Sequence, residues 1–156
     1  MKTMTATLAA ALLVGAAAAP LAVADNSLPG DILVDMRMRY ENVAQDGKLG
    51  ADAITLRTRL GWKSPEWNGF TFLGEVENVT AVDGDDDYNS GFNGLSQYAG
   101  IKDGEFTELN RLQVAFSPFE NVSVTLGRQY LQFDDGQFVA SAGHRQDKSS
   151  HDAIRI

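Results

Sequence analysis

Residues 31–41 read Asp31-Ile32-Leu33-Val34-Asp35-Met36-Arg37-Met38-Arg39-Tyr40-Glu41. Ile32, Val34, Met36, Met38 and Tyr40 fall on one parity, and Asp35, Arg37, Arg39 and Glu41 on the other. A period of two is the strand period, so this run predicts a strand with one apolar and one charged face. Four more runs follow. Ile54, Leu56, Thr58, Leu60 and Trp62 alternate with Thr55, Arg57 and Arg59. Phe70, Phe72 and Val76 oppose Thr71, Glu75 and Glu77. Leu112, Val114 and Phe116 oppose Arg111 and Gln113, and Val122, Val124 and Leu126 oppose Ser123 and Thr125. A sixth run begins at Ile154-Arg155-Ile156. No stretch carries a convincing amphipathic helix period.

The connections alternate in length. Residues 64–69 and 117–121 are short and both carry the turn formers Pro and Asn, with Gly69 in the first. Residues 43–52 form a modest loop, and 83–107 and 134–150 long polar ones. In an up-and-down meander this puts short turns at one end and long loops at the other, as in outer-membrane barrels. Trp62, Trp67, Phe70, Phe116 and Phe119 gather beside the short turns, with Tyr40 and Tyr130 near the loop ends. Aromatic girdles at both interfaces are expected of a lipid-facing barrel. A soluble sheet also alternates, so a periplasmic β-sandwich that binds carbohydrate is the alternative reading.

Residues 1–24 read as a cleavable signal peptide. Lys2 gives a positive start, residues 5–19 are apolar, and Ala22-Val23-Ala24 is the cleavage motif. Residues 25–156 form the mature part. The chain has 156 residues, a formal charge of -8 and no cysteine, which excludes disulfides, thiolate metal sites and a Cys nucleophile. The acidic balance without a basic patch argues against nucleic-acid binding. Two histidines cannot build a three-histidine zinc site.

Parity puts Arg37, Arg39, Arg57, Arg59, Arg111 and Arg155 on the polar face, with Asp35, Glu41, Glu75 and Glu77. In a barrel these residues line the lumen, and basic walls favour anionic solutes. Cross-strand Arg–Glu pairing that only satisfies a polar lumen is the plainer reading. Arg128 shares the apolar parity of Val122, Val124 and Leu126. It requires either a position beyond the hydrocarbon or a bulge near Gly127 that exchanges the faces. Asp83, Asp85 and Asp87 imitate the start of an EF-hand loop, but Tyr88 and Gly94 stand where that loop needs Gly and Glu. They are weak metal candidates only, and no cofactor is expected. No G-x-S-x-G occurs, and Glu75 with Glu77 is a common strand pair, so the chain does not read as an enzyme.

Six segments carry a family resemblance: residues 56–62 (LRTRLGW), 74–82 (GEVENVTAV), 85–89 (DDDYN), 107–110 (TELN), 126–139 (LGRQYLQFDDGQFV) and 143–154 (GHRQDKSSHDAI). In this order and spacing the chain resembles the alginate-export-like porin family of the bacterial outer membrane. His144 departs from the pattern, since relatives tend to have an aromatic before Arg-Gln. The resemblance implies a transmembrane β-barrel that meets lipid and lipopolysaccharide and passes small or polymeric solutes, anionic saccharides among them. Six strands cannot close, because single-chain barrels need an even number of at least about eight. The chain is therefore expected to be the N-terminal portion of a larger barrel, the first five to six strands, whose remainder is missing from it.

Overall fold

A computed structural model describes residues 29–84, 86–133, 136, 141 and 143–156. The signal peptide expected over 1–24 lies outside the described residues, as does Asp85. Six strands follow in chain order: β1 (Asp31–Val43), β2 (Ala51–Lys63), β3 (Phe70–Ala81), β4 (Phe106–Phe119), β5 (Val122–Gln129) and β6 (His151–Arg155). Every consecutive pair is antiparallel, and the strands form one open up-and-down sheet in the order β1-β2-β3-β4-β5-β6.

Local chemistry explains the short turns. Asn68 and Gly69 both take positive φ, 51° and 81°, while Trp67 and Phe70 exchange both backbone hydrogen bonds at 2.9 Å. Two consecutive positive-φ residues make a type I′ turn, whose twist suits a hairpin. At the other short turn the sequence reading stops β4 too early. The strand continues through Ser117 and Pro118 to Phe119, and the register shifts between Phe116 and Phe119. Pro118 has no N–H for the ladder, so irregular pairing there follows from its chemistry.

A second irregularity lies inside β4. Glu75 pairs with Arg111 but Val76 pairs with Leu109, which leaves Asn110 as the extra residue of a bulge. The bulge sends Asn110 and Arg111 to the polar face together. It also keeps Leu109 and Leu112 on the apolar face although their parities differ.

The two faces are inverted relative to a water-soluble sheet. The apolar face is uncovered: Met36 is 49% exposed, Leu60 54% and Leu112 57%. The charged face is buried, with Arg57, Arg59, Glu75, Glu77 and Asn110 almost inaccessible. What covers it is loop. Tyr88, Ala99 and Ile101 of the β3–β4 connection pack on Ala51 and Ala53 of β2, with Val43 against them. The long polar connection over 83–107 is thus partly a folded cap. Leu49 of the β1–β2 connection pairs with Tyr98, and Asn89 pairs with Gly100 within the cap.

The apolar band has a polar border on its loop side. On β1–β2 it is Asp52, whose Oδ1 accepts from Tyr40 at 2.8 Å and from Asn42 at 2.9 Å. On β3–β4, Asn78 donates to Thr107 Oγ1 at 2.8 Å. On β5–β6, Arg128 donates to both Asp152 oxygens at 3.0 and 2.9 Å. These borders do not share a hydrogen-bonded row. Asn78 stands level with Thr58 and Met36, and Arg128 stands level with Leu112, Gly74, Trp62 and Ile32. The turn-side aromatics step the same way, since Trp62 is level with Gly74 while Phe70 lies further toward the turn. Both borders descend in one direction across the sheet, so the strands run obliquely through a band of apolar surface.

Candidate functional site on the polar face

The register builds the site. Asp35 faces Arg59, Arg37 faces Arg57, Arg59 faces Glu77 and Glu75 faces Arg111 across neighbouring strands. Side chains then pair directly or diagonally. Arg57 Nη2 reaches Asp35 Oδ1 at 2.5 Å, and Arg59 Nε is paired with Glu77 Oε2. Arg111 grips Glu75 with two bonds, Nε to Oε1 at 3.0 Å and Nη2 to Oε2 at 2.5 Å. Such forked pairs fix geometry as well as charge. Arg39 joins Glu41 at 2.5 Å and Asp103 at 2.6 Å.

Asn110 sits between the two acidic residues. Its amide Nδ2 lies 2.9 Å from Glu75 Oε1, 3.0 Å from Glu77 Oε2 and 2.5 Å from the Tyr130 hydroxyl oxygen. Tyr130 follows β5 and turns inward onto this cluster rather than standing at a loop-end girdle. Its ring lies 3.9 Å from Lys148 Nζ and 5.0 and 5.7 Å from the guanidinium carbons of Arg111 and Arg59. Burial pushes the Tyr130 phenol up from its ordinary range. Burial, and then the charges of Arg59 and Arg111, push the Lys148 amine down.

Not every polar atom is satisfied. Arg57 Nε, Arg59 Nη2, Glu77 Oε1 and Asn110 Oδ1 have no hydrogen-bond partner among the described residues. Buried polar atoms are normally paired with protein or water, so these four are exceptions on a face that is otherwise densely paired.

The lumen-lining candidates Arg37, Arg39, Arg57, Arg59, Glu75, Glu77 and Arg111 therefore all lie on one face. Arg37 has a different environment from the rest. It carries no carboxylate ion pair among the described residues. Its guanidinium donates to Gln146 Oε1 at 2.9 Å, to Gly143 O at 3.0 Å, to His144 O at 3.4 Å and to Arg145 O. Arg155 lies opposite Thr125 at the end of β6 and is exposed.

The aromatics Trp62, Phe70 and Phe116 stand on the apolar face, and the Phe70 and Phe116 rings stack at 4.4 Å. Trp67 and Phe119 are the most exposed of the turn-side set. Asp83 uses its carboxylate on the backbone, accepting from Ile54 N at 3.1 and 3.2 Å, and Asp87 is exposed. Among the described residues no three His, Asp or Glu side chains converge on a common metal position. Arg128 remains on the apolar face without a bulge at Gly127, one residue from the loop end of β5 and paired with Asp152.

Four residues of the site give no signal as isolated letters: Asp103, Asn110, Gln146 and Lys148. Asn110 alone leaves a trace, because Leu109 and Leu112 are both apolar at unlike parity. Comparison with protein-family models, with curated proteins and with solved structures returns no match. The likeness to alginate-export-like porins rests on the six quoted segments alone.

Proposed function

We propose that this sheet is part of the wall of an outer-membrane β-barrel porin, exported by the signal peptide over 1–24, that passes solutes including anionic saccharides. The observation that carries the reading is the inverted sheet. The apolar face is uncovered, and the arginine- and glutamate-lined face is the one that is packed. A soluble carbohydrate-binding sandwich needs a second layer over Ile32, Met36, Leu60 and Leu112, and the described residues place nothing there.

Two further features support it. The oblique polar borders match strands that cross a slab at the ~35–45° tilt of membrane barrels. The edges of β1 and β6 leave ladder groups unpaired, which lipid does not tolerate, so further strands complete the wall. Arg128 and Asp152 then meet the headgroup region, with lipopolysaccharide on the loop side.

Selectivity follows from the pairing. Most arginines of the face are neutralised by a carboxylate, while Arg37 and Lys148 have none within ion-pair distance among the described residues. These two cations are the points on the face that attract an anion, and arginine forks suit carboxylate groups.

The test is expression of the chain, alone and with any reading frame that continues it, followed by membrane fractionation and planar-bilayer recording. The reading expects outer-membrane location, heat-modifiable migration and anion-preferring conductance in the closed form. A soluble, folded, monomeric periplasmic product would overturn it and make carbohydrate binding the next experiment.

A further inference from the structure

The segment Gly143–Lys148 lies across the polar face rather than outside it. At one end its carbonyls receive the Arg37 guanidinium. Gln146 is fully buried, and its Nε2 donates to Thr55 O at 3.0 Å, Thr55 Oγ1 at 2.9 Å and Arg37 O at 3.3 Å. Gln146 N donates to Asp103 Oδ1 at 3.1 Å, while Asp103 Oδ2 holds Arg39 at 2.6 Å. Asp103 thus ties the strap to β1 and to the loop cap together. At the other end Lys148 seats its ammonium on the Tyr130 ring.

We propose that Gly143–Lys148 is a constriction strap held across the solute path, and that Lys148 is its selectivity-determining charge. This rests on the porin reading and adds to it the element that narrows the pore. The anchoring is directional. Gln146 uses both ends of its amide, accepting from Arg37 and donating to Thr55, so neither a shorter nor an apolar side chain replaces it. Among the described residues Lys148 has no such ties: its ammonium rests 3.9 Å from the Tyr130 ring, the ring that Arg111 and Arg59 approach at 5.0 and 5.7 Å. Burial first, and then the charges of Arg59, Arg111 and Arg57 against the opposing charge of Glu75, lower its proton affinity. A passing carboxylate would offset the burial and these like charges, which gives Lys148 a reason to choose anions.

Two arms test the proposal. Trypsin cleaves after Arg145 and Lys148, so limited proteolysis of membranes carrying the protein reads the strap directly. Protection is expected in the parent chain, with cutting at least several-fold faster in Gln146→Leu and Asp103→Asn. Equal cutting in all three overturns the strap. Reversal potentials across a chloride gradient form the second arm. Lys148→Glu should lower the anion-to-cation permeability ratio several-fold, Lys148→Arg should retain it, and Gln146→Leu should raise conductance. An unchanged ratio in Lys148→Glu overturns its selectivity role. A protein that conducts nothing overturns the porin reading, and the trypsin arm still judges the strap. Asp103→Asn serves where Gln146→Leu does not fold, and Lys148→Met, which removes the ammonium and leaves the Arg37, Gln146 and Asp103 hydrogen bonds in place, serves where Lys148→Glu does not fold.

Discussion

Arg59 on β2 and Glu77 on β3 stand directly opposite each other, and their side chains pair where 8% and 0% of their surfaces remain accessible. The pair is the centre of the charged face, because Asn110 links Glu77 to Glu75 and, through it, to Arg111. Removing one partner leaves the other buried without its counter-charge. Glu77→Leu is expected to cost about 3–5 kcal/mol, the usual penalty for breaking a buried pair. Arg59→Met with Glu77→Leu is expected to recover most of the loss. Urea unfolding of both variants from bilayers measures it.

The lipid-facing assignment predicts an unusual response at an exposed residue. Leu60 is 54% exposed. In water, replacing it with Arg would change stability by no more than about 0.5 kcal/mol. Against hydrocarbon the same change costs roughly 2–4 kcal/mol near the midplane. Leu60→Arg should therefore lose several kcal/mol of bilayer stability, while Thr80→Arg, at the polar border, should lose much less.

The bulge at Asn110 supplies a register test. Asn110 is the extra residue, so deleting it restores strict alternation and leaves Leu109 and Thr107 on the apolar face and Glu108 on the polar one. Deleting Asn110 should therefore permit outer-membrane insertion. An alanine inserted between Glu108 and Leu109 instead exchanges the faces of Glu108 and Thr107 and should lower insertion by more than tenfold. Asn110→Ala keeps the register, loses the bonds to Glu75, Glu77 and Tyr130, and should still insert.

Two glycines predict opposite signs. Gly127 takes φ +117°, and a Cβ there would collide with the Leu112 carbonyl and approach Gln113 Cα at 3.1 Å. Gly127→Ala should destabilise by about 1–3 kcal/mol, the range for a residue forced into a disfavoured backbone region. Gly74 has an ordinary φ, and its Cβ would meet only Leu112 Cδ1 at 3.8 Å. Gly74→Ala should gain about 0.4–1 kcal/mol by narrowing the unfolded ensemble. Parallel denaturant titrations compare them.

Lys148 gives the strap a pH dependence. A lysine whose docked-state proton affinity is lowered disfavours docking while protonated. Docking should strengthen as pH rises through the depressed value toward the ordinary lysine value of ~10.4. Tyr130 is raised above its ordinary range, so its phenol stays neutral over most of that window. A spin label at Ser149 should lose mobility with rising pH, and Lys148→Met should abolish the trend.

The sheet was legible because it depends on a short-range signal. Alternation in Ile32–Tyr40 or Ile54–Trp62 states which residues share a face, and that set the strands and placed Arg57, Arg59, Glu75 and Glu77 together. Three things were not legible. Pro118 reads as a turn residue although an irregular ladder accommodates it. The Asn110 bulge depends on pairing between β3 and β4, which single-strand parity does not contain. The loop residues Asp103, Gln146 and Lys148 act through partners more than forty residues away, except for the Tyr130–Lys148 contact, and no local pattern encodes such distant bonds.

The most direct test is site-directed spin labelling along β2, which the absence of native cysteines allows. Labels at Leu56, Thr58 and Leu60 should be accessible to oxygen and shielded from a water-soluble nickel chelate in native membranes. Labels at Thr55, Arg57 and Arg59 should show the reverse preference or be shielded from both. Free access of the chelate to Leu56 and Leu60 would contradict the lipid-facing sheet and the porin reading built on it.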